Sequence, residues 1–197
     1  MQIKRYDILC MLLWGCALFA LSFGIQRLRS EKKQPLCSVR SAALLVFCCC
    51  CASILYLTGM FTFLTDPQRI TLRCPFTGFD LTPFRGHVYL PILQNYLLFL
   101  PFGFLLPSVT PKIRWNLFRA AFCGLVISLC IELLQAMIGR RQEIDDLICN
   151  TAGTAAGFLA WAALFRKGRK PWQRILILAG TALLSCLMLY GIRQLCR

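Results

Sequence analysis

Histidine is almost absent from this chain: His87 stands alone among 197 residues. Acids are scarce as well, eight in all, and charged residues make up 15% of the sequence, where soluble domains carry about a quarter. These shortages exclude several chemistries. A single histidine, with no C-x-x-C pair recurring at metal-site spacing, leaves no zinc motif despite 13 cysteines. The cysteines lie instead inside apolar runs, four in a row at 48–51 and others at Cys123, Cys130 and Cys186. Small, weakly polar thiols facing neighbouring helices explain them better than a disulfide framework. A nucleophile elbow, a phosphatase-type motif and an internal repeat are also missing. No cofactor and no metal are expected.

What the chain has in excess is long apolar runs, with 58% of residues hydrophobic. A run of about 20 apolar residues crosses a bilayer as a helix. Six such runs are read here, roughly 8–25, 41–64, 88–109, 115–138, 147–165 and 174–195. The first has a basic start like a signal peptide but a long apolar core and no clear cleavage site, so it is kept as a span. The fifth is short and rich in glycine, alanine and threonine, and needs neighbours around it. The expectation is an all-α, polytopic transmembrane bundle of about six spans, with residues 1–197 forming one membrane domain.

The net charge of +14 points to membrane topology rather than to nucleic acid. The basic residues gather in short connections, such as Arg27, Arg29, Lys32 and Lys33, or Arg166, Lys167, Arg169 and Lys170. There they set orientation and attract anionic headgroups. In the six-span arrangement, eleven of the basic residues in the connections and tails fall on one face and nine on the other. The bias places both termini and the loop around Arg140 outside the cytoplasm. Membrane lipids are the expected partners.

Polar residues interrupt the apolar pattern in one place. In the fourth span Ser128, Glu132 and Gln135 recur at i, i+4, i+7, which puts them on one helix face. A carboxylate at depth costs about 3 kcal/mol on insertion scales, so it should face the bundle interior. In the fifth span Asp146, Asn150, Gly153 (or Thr154) and Gly157 repeat along a face, polar residues topping small ones that admit a close neighbour. The two spans are expected to form an antiparallel hairpin with polar faces together. Arg140 or Arg141 is the nearest cation for Glu132, Asp145 or Asp146. The third span adds Asn95, Pro101, Gly103 and Pro107: a polar side chain that can bond across helices, then packing and bend devices. Ahead of it lie Asp80, Pro83, Phe84 and Arg85. Trp115, Trp161 and Trp172 near span ends fit an interfacial belt.

Three blocks resemble the VanZ-like membrane protein family. Asp80-Leu81-Thr82-Pro83-Phe84 is similar to its "NLxPF" segment. Asn95, Phe99, Pro101 and Gly103 follow its "N-x-x-LF-x-P-x-G" span. Glu132 and Gln135, then Arg140, Asp145, Asp146, Asn150, Gly153 and Gly157, follow its long "E-x-x-Q…R…D…D…N…G…G" block. The resemblance covers about residues 79–158. It departs at Asp80, where asparagine is usual, and at Glu143, where an aspartate is. It implies a cell-envelope protein of bacteria associated with resistance to the glycopeptide teicoplanin, and names no particular reaction.

The ligand-binding candidates are therefore Asn95, Glu132, Gln135, Arg140, Asp145, Asp146 and Asn150. Asp80, Pro83, Phe84, Ser128, Arg141 and Glu143 stand behind them, and Pro101, Gly103, Gly153 and Gly157 are read as packing. One reading is a site for an amphiphile: a glycopeptide, a lipid-linked wall precursor or a phospholipid. The plainer reading is an internal network that holds the bundle. A membrane enzyme would use Glu132 or Asp146 as general base and Arg140 to stabilise negative charge. A small transporter is the third class, since broken helices with central charges fit it loosely.

Overall fold

The computed structural model describes residues 5–29, 39–60, 79–83, 89–140, 142–165 and 180. Five helices carry the described architecture: α1 (Arg5–Arg29), α2 (Val39–Leu57), α3 (Tyr89–Val109), α4 (Leu117–Met137) and α5 (Ile144–Phe165). Two strands of two residues each, β1 (Phe79–Asp80) and β2 (Gln142–Glu143), sit between them.

Four segments are long and apolar enough to cross a membrane: Arg40–Leu57, Leu90–Val109, Leu117–Met137 and Ile144–Phe165. The first expected span falls within α1, whose apolar stretch Leu12–Ile25 is shorter than the others. The sixth, 174–195, lies outside the described residues. The fold is all-helical, with four spans among the described residues.

The second span stops earlier than hydropathy suggests. Gly59 adopts φ +80°, and its N–H and that of Met60 turn back to the carbonyls of Tyr56 and Leu55 at 3.0 and 2.9 Å. This is the glycine-terminated helix end in which a left-handed residue lets the last carbonyls find donors. Thr58 is thus the C-cap of α2. The fifth helix begins earlier than expected, at Ile144, so Asp145 and Asp146 occupy its first turn, where the helix dipole favours acids.

The bundle wears its apolar side chains outward. On α4 the buried residues are Ala120, Gly124, Ser128, Ile131, Glu132, Gln135 and Ala136. Its outer face shows Phe118 (76% exposed), Phe122, Val126, Leu129 and Leu134. Small and polar inside with large and apolar outside is what lipid as solvent selects, because hydrocarbon rewards close backbone packing more than apolar contact between helices.

The helices pack in the order α1, α2, α3, α5, α4, and α3 lies at the centre. Phe99, Phe102, Leu105 and Leu106 of α3 form the core with Ala43, Leu44, Cys48 and Ile54 of α2. On its other side α3 meets α5 backbone to backbone. A β-carbon on Gly103 would fall 2.0 Å from the Thr154 carbonyl oxygen, and one on Gly157 would fall 2.0 Å from that of Leu100. One on Gly153 would lie 2.2 Å from the Tyr96 oxygen. These contacts exist only because the side chains are missing. The helix α3 runs unbroken through Pro101 and Pro107. Further along, the Trp161 indole donates to Ser108 Oγ at 3.0 Å and stacks on Phe165.

Candidate functional site

The C-termini of α2 and α4 and the N-termini of α3 and α5 meet at one end of the bundle, and the polar residues collect there. Local chain chemistry builds the corner. Gly139, at φ +75°, ends α4 as Gly59 ends α2: its N–H donates to the Ala136 carbonyl and that of Arg140 to Gln135, both at 3.1 Å. The chain reverses, passes through β2 and enters α5. β2 pairs in parallel with β1, Phe79 opposite Gln142 and Asp80 opposite Glu143. The segments flanking α3 and α5 are thereby tied across some 60 residues of sequence.

Among the described residues Glu132 is the most deeply buried ionisable side chain, with 1% of its surface exposed. Its Oε2 accepts from the Glu143 backbone N–H at 3.2 Å. One turn away on α5, Asn95 of α3 donates its amide to Asp146 Oδ1. The negative charges of Asp146 and Glu143 and the positive charge of Arg140 are all felt at Glu132. Below this level the Asn150 amide donates to Ser128 Oγ at 2.8 Å, joining α5 to α4. Thr154, fully buried, donates to the Asn150 carbonyl and fills the space left by Gly124. The other carboxamide atom of Asn150, Oδ1, is buried with no hydrogen-bond partner.

The expected hairpin of the fourth and fifth spans is present, with Ser128 and Glu132 facing the polar start of α5. Its glycine stripe, however, splits by neighbour. Asn150 and Thr154 face α4, whereas Gly153 and Gly157 lie against α3. A 3.6-residue period separates inside from outside but spans two neighbours on the inside.

Arg140 makes an unexpected bond. Its Nη1 donates to the Thr58 carbonyl at 2.8 Å, and Gln135 Nε2 donates to the same oxygen at 2.8 Å. Both side chains therefore cap the C-terminus of α2, where orphan carbonyls and the negative dipole end attract donors and cations. The Arg140 charge also acts on Asp146, without lying in the seam itself, because the residue is exposed.

Asp80 receives the Thr82 backbone N–H at 3.0 Å and the Thr82 hydroxyl on its Oδ1, closing a turn that leads into Pro83. The atom used is an oxygen that asparagine also has, so aspartate serves this turn equally well. Glu143 contributes its backbone N–H to Glu132 and leaves its side chain exposed, so this bond does not depend on which acid stands there. Phe84 and Arg141 lie outside the described residues.

The sequence reading missed three contributors. The Thr58 carbonyl is a backbone atom in a span without motif. Gln142 is buried and donates to the Arg140 carbonyl at 2.9 Å, fixing the reversal after α4. Its placement in a polar string hid it. The β1–β2 pair is too short to show alternation. Among the described residues no group of three or more histidines, cysteines, aspartates or glutamates is placed to hold a metal ion.

No solved structure matches this chain. "Protein VanZ" from Enterococcus faecium is 32% identical over 114 residues, which is 56% of this chain and 70% of that protein. The VanZ/LLP1 family model matches residues 8–166, so the likeness extends beyond the 79–158 blocks and takes in α2 and most of α1. By sequence over most of its length, this chain belongs to the VanZ/LLP1 family of membrane proteins.

Proposed function

We propose that this protein sits in the bacterial cell membrane with the polar end of its bundle facing out of the cytoplasm, and that this end holds the headgroup of an amphiphile. The candidates are a glycopeptide, a lipid-linked wall precursor or a phospholipid. The observation that carries the reading is Glu132. A carboxylate with 1% exposure, which receives a single backbone N–H among the described residues, is a poor stabilising device. Carboxylates within membrane spans mark ligand or ion sites by default. Asp146 beside it and Asn95 across from it extend the polar surface towards the bundle end. Arg140, exposed above them, meets the anionic part of such a headgroup.

The relationship to the Enterococcus protein and the family's link with teicoplanin resistance make the glycopeptide the first ligand to test. The test compares teicoplanin susceptibility in cells carrying the wild type, Glu132→Gln or Arg140→Ala at equal membrane abundance. Lowered protection in both variants is expected. Unchanged susceptibility and unchanged lipid association in both would defeat the proposal and leave the polar cluster as scaffold.

A further inference from the structure

We infer that the headgroup held at this end carries a primary ammonium group, which the seam between α4 and α5 recognises by hydrogen bonds. This rests on the reading that the polar end binds an amphiphile, and it names the chemical class. The side-chain amides around the seam are already committed. Among the described residues, the amides of Asn95, Gln135, Gln142 and Asn150 donate to Asp146, the Thr58 carbonyl, the Arg140 carbonyl and Ser128. The Glu143 N–H is given to Glu132. Acceptors are left over. Glu132 and Asp146 each hold one such bond on a carboxylate whose two oxygens can take about four.

Asn150 supplies the independent observation. The residue is 3% exposed, and its Oδ1 is buried with no donor at all. Its nitrogen is held by Ser128, one helical turn below Glu132, and its own position is one turn below Asp146. The carboxamide therefore lies in the seam beneath the two carboxylates. Buried polar atoms are nearly always paired, so an orphan acceptor under two under-used carboxylates calls for a donor brought from outside.

An ammonium offers three N–H donors, a positive charge and no acceptor. An anionic group alone would add acceptors to a place already rich in them. A headgroup with both charges fits the vertical order: ammonium towards Glu132 and Asp146, phosphate or carboxylate towards exposed Arg140. An aminophospholipid and an amine-bearing glycopeptide both present this chemistry.

The test uses the full chain in lipid vesicles and phospholipids spin-labelled on the acyl chain, with ethanolamine, choline or glycerol headgroups. Ethanolamine has N–H donors, choline has the same charge without them, and glycerol leaves only the anionic phosphate. Electron paramagnetic resonance gives the relative association of each. Ethanolamine should associate about tenfold more tightly than choline, the scale of a charge-assisted hydrogen bond. Glu132→Gln and Asp146→Asn, which keep an oxygen for Glu143 and Asn95, should each bring the two within about twofold. Teicoplanin should displace the ethanolamine probe, and teicoplanin acetylated on its amine should not, if the glycopeptide is the source; displacement by neither assigns the ammonium to lipid. Equal association of ethanolamine and choline, or preference for glycerol, overturns the ammonium and leaves amphiphile binding standing. If no headgroup and no glycopeptide associates beyond bulk lipid, amphiphile binding itself falls.

Discussion

The two halves of α5 are held by opposite means. Towards its C-terminal half the helix is gripped by absence: Gly153 and Gly157 let α3 approach until backbone meets backbone. In its first two turns it is gripped by polar side chains, Asp146 to Asn95 and Asn150 to Ser128. In the glycine half there is no room for a β-carbon at either glycine, and no buried side-chain polar atom among the described residues lacks a partner. The polar half has an orphan oxygen and carboxylates with capacity to spare. A region built only for stability would resemble the first half, and the difference supports the proposal that the second half holds a ligand.

The largest effect is expected from filling the glycine half. Gly157→Val places a side chain on the Leu100 carbonyl, a backbone atom that cannot swing aside. A loss on the order of 3 kcal/mol or more is expected, seen as failure to accumulate in membranes or to elute as a single species in detergent. A mild effect would mean that the α3–α5 contact is looser than described.

The polar half should respond to chemistry more than to bulk. Glu132→Leu leaves the Glu143 N–H without its acceptor and should cost about 1–3 kcal/mol in thermal unfolding. Glu132→Gln keeps an acceptor and should cost about 1 kcal/mol or less while abolishing headgroup preference. Equal loss of stability in both would make Glu132 a structural residue.

Asn150→Leu gives up the bond to Ser128 but also removes an unsatisfied oxygen. The net change in stability in detergent should lie within about 1 kcal/mol, since interhelical hydrogen bonds in membranes average roughly 0.6 kcal/mol. In ethanolamine-lipid vesicles the wild type should gain stability that this variant does not. The smallest effect belongs to Arg140→Ala. Gln135 still serves the Thr58 carbonyl, so about 0.5 kcal/mol is expected. Adding Gln135→Ala leaves that carbonyl without either donor and should cost more than the sum of the two single changes.

Much of this was legible in the residues because periodicity is a local property. Ser128, Glu132 and Gln135 had to share a face, and the polar stretch after residue 138 had to separate the fourth span from the fifth. Arg140 shows the limit. Its nearest acids in sequence are Glu143, Asp145 and Asp146, yet its described hydrogen bond goes to a carbonyl 82 residues away. The glycines show it again: their spacing announced a close approach without naming the helix that approaches.

The sequence by itself determined which segments are apolar enough to cross a membrane, which faces must turn inward, and that a polar cluster joins the fourth and fifth spans. Spacing along a helix and the cost of charge in hydrocarbon are enough for that. Only the tertiary structure decided that α3 fills the glycine face, that β1 pairs with β2, that Thr58 receives Gln135 and Arg140, and that Asn150 keeps an unanswered oxygen. Each of these depends on which distant backbone arrives as neighbour, and a helical period specifies a direction without specifying what lies there.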